Sequence, residues 1–246
     1  MRFLVLSDLH SNLEALQAVL GYARGLGYER VLVLGDVVGY GPDPNAVIEV
    51  LRGLPGLAAI RGNHDKVASG IEDGEDFNDA ARAAALWTRG VLAPQNLEWL
   101  HALPRGPLEF APGRYLAHGT PHDEDRYLID EGEARRSFDA LSFDLCFFGH
   151  SHFPCAFTLE RERLGLQLAR VEPTIFTLGA GRRGLVNPGS LGQPRDRNPK
   201  SSFALYDDVL GCVTVYRVAY PFEATGQKIR AAGLPPALAE RLRLGV

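Results

Sequence analysis

Residues 62–65 of the chain read GNHD, and they follow a mostly apolar stretch, LPGLAAIR, at residues 54–61. Taken alone, these four residues are also those of an ordinary turn, because glycine permits a sharp backbone and Asn and Asp are common turn residues. Whether they are more than a turn depends on the residues that end the other predicted strands of the chain.

The first third of the chain alternates predicted strands with predicted helices. Short apolar runs of buried-strand length stand at residues 2–7, 30–35 and 57–62. Between them lie two patterns with helical spacing, at residues 11–27 and 43–54. A strand-helix-strand-helix-strand order predicts parallel strands joined by right-handed crossovers.

Side chains that can bind a metal follow each of these strands and two later ones. They are Asp8 and His10 after the first strand, Asp36 after the second, Asn63 and His64 after the third, His118 after RYLA at 114–117, and His150 and His152 after the run at 143–149. In a mostly parallel sheet these positions share the carboxyl edge, where α/β sheets bind ligands. Asp, Asn and His suit divalent transition metals. Five of the seven histidines of the chain belong to this set, which favours a metal site over chance.

Two of these motifs, DLH at 8–10 and HSH at 150–152, place potential ligands two residues apart. In an extended chain, side chains with this spacing leave the same face of the backbone. We therefore expect both members of each motif to reach a single site.

The middle and the end of the chain have a different pattern. Residues 66–102 show no strand signal and predict a helical insertion near the cleft, with amphipathic helices at 76–92 and 94–103 that bury Trp87 and Trp99. Later strands are predicted at 155–160, 173–179, 183–189, 202–207 and 212–217. The last two of these are joined by a hairpin-like connection, which indicates antiparallel or mixed pairing. A short helix is predicted within 234–246, and the whole chain, 1–246, is predicted to be a single domain.

Composition limits the classes of function. The net charge is −4, which counts against a basic surface for nucleic acid. The chain contains no run of 18 or more apolar residues, so no membrane span is predicted. The apolar run at the N-terminus is too short for a signal peptide. The three cysteines are far apart in sequence and predict free thiols, so we expect a cytoplasmic protein.

The series DLH, GD, GNHD, His118 and GHSH over residues 8–152 resembles the motifs of the calcineurin-like metallophosphoesterase superfamily. The stretch LVNPGSLGQPRDRNPKSSFALYD at 185–207 is similar to the small prokaryotic branch of phosphodiesterases and diadenosine-tetraphosphatase-like proteins. The resemblance implies an α/β fold, an αββα sandwich of two mixed β-sheets. It also implies a centre of two divalent transition-metal ions (Mn, Fe, Co, Ni or Zn).

By the same resemblance, each ion has four ligands and one ligand is shared. The first ion takes Asp8, His10, Asp36 and His152, and the second takes Asp36, Asn63, His118 and His150. Two such ions activate a water for attack on phosphorus and neutralise the phosphoryl oxygens. His64 is expected beside them as the catalytic residue, where it stabilises the transition state or protonates the leaving oxygen.

The chain departs from one pattern of the superfamily. Protein Ser/Thr phosphatases carry an Asp-Arg pair after GD, whereas residues 35–41 here read GDVVGYG. Arg195 is the candidate to replace that arginine, although it is also typical of a surface residue in a polar loop. Asn12 and His122 are further candidate substrate contacts, with a helix cap and an exposed loop residue as their alternatives.

These features together predict hydrolysis of a small phosphorylated substrate, a phosphodiester or a nucleotide polyphosphate. A phosphoprotein phosphatase and a non-catalytic, metal-bound interaction module remain as alternatives. The presence of all the expected ligands and of His64 favours catalysis over the module.

Overall fold

The computed structural model describes residues 1–179 and 181–246. The strands within these ranges are β1 (Arg2–Leu6), β2 (Arg30–Val33), β3 (Ala58–Ala59), β4 (Leu108–Ala111), β5 (Arg114–Leu116), β6 (Leu145–Phe147), β7 (Cys155–Glu160), β8 (Arg163–Leu168), β9 (Thr174–Thr177), β10 (Arg182–Asn187), β11 (Ser201–Asp207) and β12 (Cys212–Val218). The α-helices are α1 (Leu13–Ala23), α2 (Pro44–Arg52), α3 (Asn63–Ser69), α4 (Asp79–Val91), α5 (Pro94–His101), α6 (Glu131–Ala140), α7 (Phe222–Ala231) and α8 (Pro236–Leu244).

In the described ranges these strands form two six-stranded sheets. The first has the order β3-β2-β1-β11-β12-β9, and the second has the order β4-β5-β6-β10-β7-β8. Both sheets are mixed: β1 pairs parallel with β2 and antiparallel with β11, and β10 pairs parallel with β6 and antiparallel with β7. The predicted fold class, two mixed sheets with helices, is confirmed. That the whole chain is one domain stays a prediction.

The layers follow from the alternation of side chains along each strand. In β1, Leu4 and Leu6 pack in a cluster with apolar residues of α1 and α2. Phe3 and Val5 pack on the opposite face, in a cluster that includes Phe147 of the second sheet. A third cluster joins the outer face of the second sheet to α6. The order of layers is therefore helix, sheet, sheet, helix.

The GNHD stretch begins a helix, so its interpretation as a tight turn is wrong. The strand before it, predicted at 57–62, is only Ala58–Ala59, and α3 begins at Asn63. The side chain of Asp65, at the third position of α3, accepts a hydrogen bond of 2.9 Å from the backbone N–H of Gly62. This contact caps the start of the helix and fixes its direction.

Gly62 also allows a close approach to the loop between β2 and α2, here called the second loop. A Cβ at this position would lie 2.2 Å from Oδ1 of Asp36, so a larger residue would push the two loops apart. The backbone N–H of His64 donates a hydrogen bond of 2.9 Å to that same oxygen. The start of α3 is thereby held against the Asp36 side chain.

Five elements were not predicted from the sequence: β4, β8, α3, α6 and α7. Helix α6 reads EGEARRSFDA and buries little more than Ala134 and Phe138 among apolar side chains, so its hydrophobic period is weak. Strand β8 is mostly exposed and lacks the apolar run that predicts a strand. The two helices expected within 66–102 are confirmed as α4 and α5, with Trp87 and Trp99 half-buried rather than fully buried.

Across residues 1–179 and 181–246, we find no helix whose length and apolar character would let it cross a membrane. In the same ranges the three cysteines are free thiols, as expected, and Cys146 and Cys155 are buried.

Candidate metal centre

The side chains that follow the strand ends meet in two groups that share Asp36. In each group the potential ligand atoms lie within 4.8 Å of one another. One group is Asp8, His10, Asp36 and His152, and the other is Asp36, His118 and His150. Asn63 joins the second group, since its Oδ1 lies 3.1 Å from Nε2 of His118. These are the residues expected from the sequence; the structure brings them together, and their role as metal ligands stays a proposal.

Backbone carbonyl groups orient three of the imidazole rings. The contacts join Nδ1 of His10 to the oxygen of Val38 at 3.2 Å, Nδ1 of His118 to that of Leu34 at 2.8 Å, and Nδ1 of His152 to that of Gln193 at 2.6 Å. A carbonyl oxygen only accepts, so Nδ1 carries the hydrogen. When the ring is neutral, as the lowered pKa values of His10 and His152 make these two near pH 7, Nε2 keeps its lone pair and is free to bind a metal.

The Nε2 atoms of His10 and His152 face each other at a distance of 3.1 Å. Two lone pairs this close repel each other, and a cation between them relieves the repulsion. Carboxylate oxygens of Asp36 and Asp8 lie 3.7 Å from Nε2 of His10 and 3.4 Å from Nε2 of His152, respectively. This buried set of nitrogen and oxygen donors fits a divalent transition metal.

The backbone at the centre is strained, and the reason given for the DLH and HSH spacing is wrong. Neither motif is extended: φ is 53° at Asp8, 48° at His10, 64° at His150 and 60° at His152. Asp36 is also left-handed, with φ of 50°. Non-glycine residues adopt this region at a cost of about 1–3 kcal/mol each, and they persist where surrounding contacts hold them at functional sites.

Hydrogen bonds between the loops hold this backbone in place. The N–H of His10 donates to the carbonyl oxygen of Asp36 at 2.9 Å, and the N–H of His150 donates to the Asp8 carboxylate at 3.2 Å. Three of the loops are therefore bonded directly to one another, which fixes the distances between the side chains.

Burial sets the charge of most of the imidazoles. It lowers the pKa of His150 to about 3 and that of His64 to about 4, and it holds the pKa values of His10 and His152 well below the usual range. These rings are therefore neutral near pH 7.

His118 differs because it adjoins the Asp36 carboxylate, with Nε2 3.5 Å from Oδ2. Burial lowers the pKa of His118, but the charge of Asp36, the hydrogen bond to Asp36, the charge of Asp8 and the hydrogen bond to the Leu34 carbonyl together raise it to about 10. For Asp36, the histidines around it outweigh burial and hold the pKa well below its usual value. Asp36 is thus ionised, and its negative charge attracts cations to both groups of side chains.

His64 lies beside the two groups and is 4% exposed. Its ring packs against Tyr40 and Phe77, with centroid distances of 4.3 and 4.7 Å. Its Nδ1 is buried and has no hydrogen-bond partner in the described part of the chain. A Cβ at Gly39 would lie 2.4 Å from that Nδ1, so the ring needs a glycine beside it.

A cavity of about 260 Å³ opens onto this centre. Its lining includes Asp36, Asn63, His64, His150 and His152 from the site, and Tyr40, Glu72, Asp76, Phe77, Asn78, Ala81, Asp125, Tyr127 and Arg195 around it. Five residues of the expected helical insertion therefore form one wall of the cavity: Glu72, Asp76, Phe77, Asn78 and Ala81.

The sequence matches the family model of the calcineurin-like phosphoesterase superfamily domain over residues 1–208. The protein belongs to the calcineurin-like phosphoesterase superfamily. As a member, it is a phosphoesterase hydrolase, and its clustered His and Asp side chains suit two metal ions.

Related proteins extend this likeness over the whole length of the chain. An uncharacterized protein of Methanocaldococcus jannaschii is 37% identical over 246 residues, which cover 98% of this chain and 97% of that protein. The crystal structure of a metallophosphoesterase from Sphaerobacter thermophilus is 34% identical, with a TM-score of 0.86 over 100% of this chain and 99% of that one. A hypothetical protein from Pyrococcus horikoshii shares the fold, with a TM-score of 0.80 and 21% identity over 100% and 98% of the two chains.

The three expected substrate contacts of this phosphoesterase have different surroundings. Arg195 lines the cavity, and its Nη2 donates to Oε1 of Gln193 at 3.1 Å. Asn12 caps α1 by accepting a hydrogen bond of 3.1 Å from the N–H of Ala15, which is the alternative given above. His122 lies 3.4 Å from a Glu133 oxygen and is outside the cavity lining in residues 1–179 and 181–246. Contact of Asn12 or His122 with substrate stays a prediction.

Two residues that position the phosphoesterase site were missed. Tyr127 stacks on His150, with a centroid distance of 3.8 Å and an angle of 21° between the rings, and no sequence signal marked it. Asp65 accepts hydrogen bonds from the backbone N–H groups of Gly62 and Val38 and so joins α3 to the second loop. Its place three residues after Gly62, at the start of a helix, is a capping pattern that the sequence does contain.

Proposed function

We propose that the protein hydrolyses phosphodiesters at a centre of two divalent transition-metal ions. The observation that carries this proposal is that Asp36 belongs to both groups of ligand atoms, and a shared carboxylate is the usual bridge of a two-metal site. When bound, the two ions activate a water and neutralise the phosphoryl oxygens of the substrate. We propose Asp8, His10, Asp36 and His152 as one ligand set and Asp36, Asn63, His118 and His150 as the other.

His64 is proposed as the catalytic side chain that hydrogen-bonds the reacting phosphoryl group. Its Nδ1 is enclosed and unpartnered in the described ranges, which leaves Nε2 as the nitrogen that faces a substrate. Since burial lowers the pKa of His64 to about 4, the ring is neutral near pH 7. A neutral ring with its hydrogen on Nε2 stabilises negative charge as it develops on oxygen.

Arg195 is proposed to bind a phosphoryl oxygen. It lines the cavity, and its Nε is buried with no partner in the part of the chain that the structure describes. A nucleotide polyphosphate is a second candidate substrate because Arg195 would serve its phosphates equally well. The carboxylates of Glu72, Asp76 and Asp125 in the same lining favour the diester.

A phosphoprotein phosphatase is less consistent with this site. The positions of the Asp-Arg pair are taken by Gly39 and Tyr40, neither of which carries a charge near pH 7. A terminal phosphoryl group carries two negative charges and gains most from such a clamp. The interaction module is disfavoured by the preserved ligands and by His64. On the sequence evidence we also propose that the enzyme acts in the cytoplasm.

The test is a substrate screen. A chelator first removes metal from the protein, and separate samples are then reconstituted with Mn, Fe, Co, Ni or Zn. Aryl monoesters, aryl diesters, dinucleoside polyphosphates and phosphoserine peptides are compared by kcat/KM. We expect the diesters to give the highest value, and an Asp36→Ala variant to give no turnover. An Asp79→Asn variant, changed at an exposed residue of α4 outside the cavity lining in the described ranges, is the control for loss of one carboxylate. Phosphopeptides as the best substrates would overturn the proposal.

A further inference from the structure

The outer part of the cavity carries a group of carboxylates that the proposed chemistry does not use. Glu72, Asp76 and Asp125 line the cavity together and are here called the acidic rim. The side chains of Glu72 and Asp125 are about half exposed, and Asp76 is exposed. In residues 1–179 and 181–246, Asp76 has no ion-pair partner.

One buried lysine holds two members of the acidic rim in place. Nζ of Lys66 lies 2.8 Å from Oε1 of Glu72 and 2.6 Å from Oδ2 of Asp125, and the Lys66 side chain is fully buried. This one ammonium group pairs with two of the three carboxylates of the rim, and Asp76 has no ion-pair partner in the described ranges, so the rim keeps a negative charge. Because their partner is buried and fixed, the two bonded carboxylates are fixed as well.

Aromatic side chains stand next to the acidic rim. Phe77 and Tyr127 line the same cavity, and Tyr127 has one face against His150 while 47% of the residue remains exposed. A free aromatic face beside carboxylates is the usual surrounding of a bound ammonium group, which gains from both.

The inner part of the same cavity has the opposite preference. Two polar side chains that line it can donate hydrogen bonds to an anion: His64 through Nε2, as proposed above, and Arg195 through its charged guanidinium group. Together with the metal ions proposed above, they favour an anion. The cavity therefore selects negative charge at its inner end and positive charge at its rim.

We infer that the substrate is a small zwitterionic phosphodiester, in which the phosphate binds at the metal centre and an ammonium group on one alcohol binds at the acidic rim. This inference rests on the proposed diesterase function and names the substrate class. A cavity of about 260 Å³ has room for a phosphate and a small alcohol. A chain of phosphates that extended to the rim would meet like charge.

The test compares two esters that differ by a single charge. p-Nitrophenyl phosphocholine and p-nitrophenyl 3,3-dimethylbutyl phosphate have the same leaving group and nearly the same shape, but only the first carries a trimethylammonium group. We expect kcat/KM for the choline ester to be higher by about tenfold at low salt, from contact with more than one carboxylate, and the ratio to fall as salt is added.

Asp76→Asn is the informative variant because Asp76 does not hold Lys66. We expect this variant to lower the ratio of the two kcat/KM values by about fivefold, the effect of one charge at about 4 Å in water. Asp73→Asn is the matched control, since Asp73 is exposed in the same segment but outside the cavity lining in the described part of the chain. It should leave the ratio unchanged.

A binding measurement separates this inference from the proposed function. Calorimetry measures how tightly the metal-reconstituted protein binds phosphocholine and 3,3-dimethylbutyl phosphate. This measurement requires no turnover. Preference for phosphocholine without hydrolysis of either ester would support the acidic rim and refute the diesterase. Two results would overturn the inference and leave the diesterase function intact. The first is that the charged and neutral members of each pair are hydrolysed equally and bound equally. The second is that Asp73→Asn and Asp76→Asn have the same effect on the ratio.

Discussion

Gly39 provides the sharpest test of where His64 must stand. A Cβ at Gly39 would lie 2.4 Å from Nδ1 of His64 and 2.9 Å from its Cγ. Ordinary contacts between such atoms are about 3.5 Å, so the ring must move by about 1 Å in Gly39→Ala. A misplacement of this size typically costs about 10²-fold in rate. We therefore expect kcat for an aryl diester to fall by about 10²-fold while the metal content stays at the wild-type value.

Gly27→Ala is the matched control for backbone strain. Both glycines have positive φ, 92° at Gly39 and 69° at Gly27, but a Cβ at Gly27 meets nothing within 4 Å. Each variant should lose about 1–3 kcal/mol of unfolding free energy, because a residue with a Cβ is strained at positive φ. Only Gly39→Ala should lose activity.

We then compare kcat for four variants to test whether Gly39→Ala acts through His64. They are Gly39→Ala, Gly27→Ala, His64→Ala and the double variant Gly39→Ala/His64→Ala. If Gly39→Ala acts only through His64, the double variant should be no slower than His64→Ala alone. Full activity in Gly39→Ala, or loss of metal from it, would refute the reasoning, because the ring would then be either dispensable or part of the metal site.

Three further predictions follow from named contacts. His64→Ala should keep its metals and lose about 10²–10³-fold in kcat; the loss should be equal for good and poor leaving groups, and a much smaller loss with p-nitrophenyl esters would instead indicate a proton donor. Arg195→Ala should raise KM for an aryl diester at least about tenfold through loss of a charged hydrogen bond, and an unchanged KM would contradict its role. Lys66→Met should lower the unfolding free energy in urea by about 1–3 kcal/mol, whereas Lys200→Met, which breaks an exposed pair with Glu172, should change it by less than about 1 kcal/mol; equal losses would contradict a structural role for Lys66.

The seven proposed ligands could be identified from the sequence because each stands where an apolar run ends. Parallel pairing brings such positions to one edge within each sheet, and the single sheet expected from the sequence is in fact two. Asp36 follows a strand of the first sheet and His118 a strand of the second, and the two sheets bring them together. The local conformation could not be predicted in the same way. Asp8 and His10 reach one site through left-handed backbone, which depends on hydrogen bonds between distant loops and leaves no pattern in a single sequence.

The walls of the cavity were harder to foresee than its centre. Tyr127 and Asp125 come from a segment without strand or helix, and their position depends on contacts with His150 and Lys66. The acidic segment around Glu72 reads as an ordinary solvated surface until the structure places it in the lining. Side chains that act through tertiary contacts of this kind carry no periodic signal.

The most direct test of the account is the metal content of the reconstituted protein, measured by elemental analysis together with turnover of an aryl diester. We predict two ions per chain in the wild type. Asp36→Ala, which removes the carboxylate common to both groups of ligand atoms, should bind fewer than two ions and show no turnover. Two ions still bound to Asp36→Ala, with normal turnover, would contradict the shared two-metal centre.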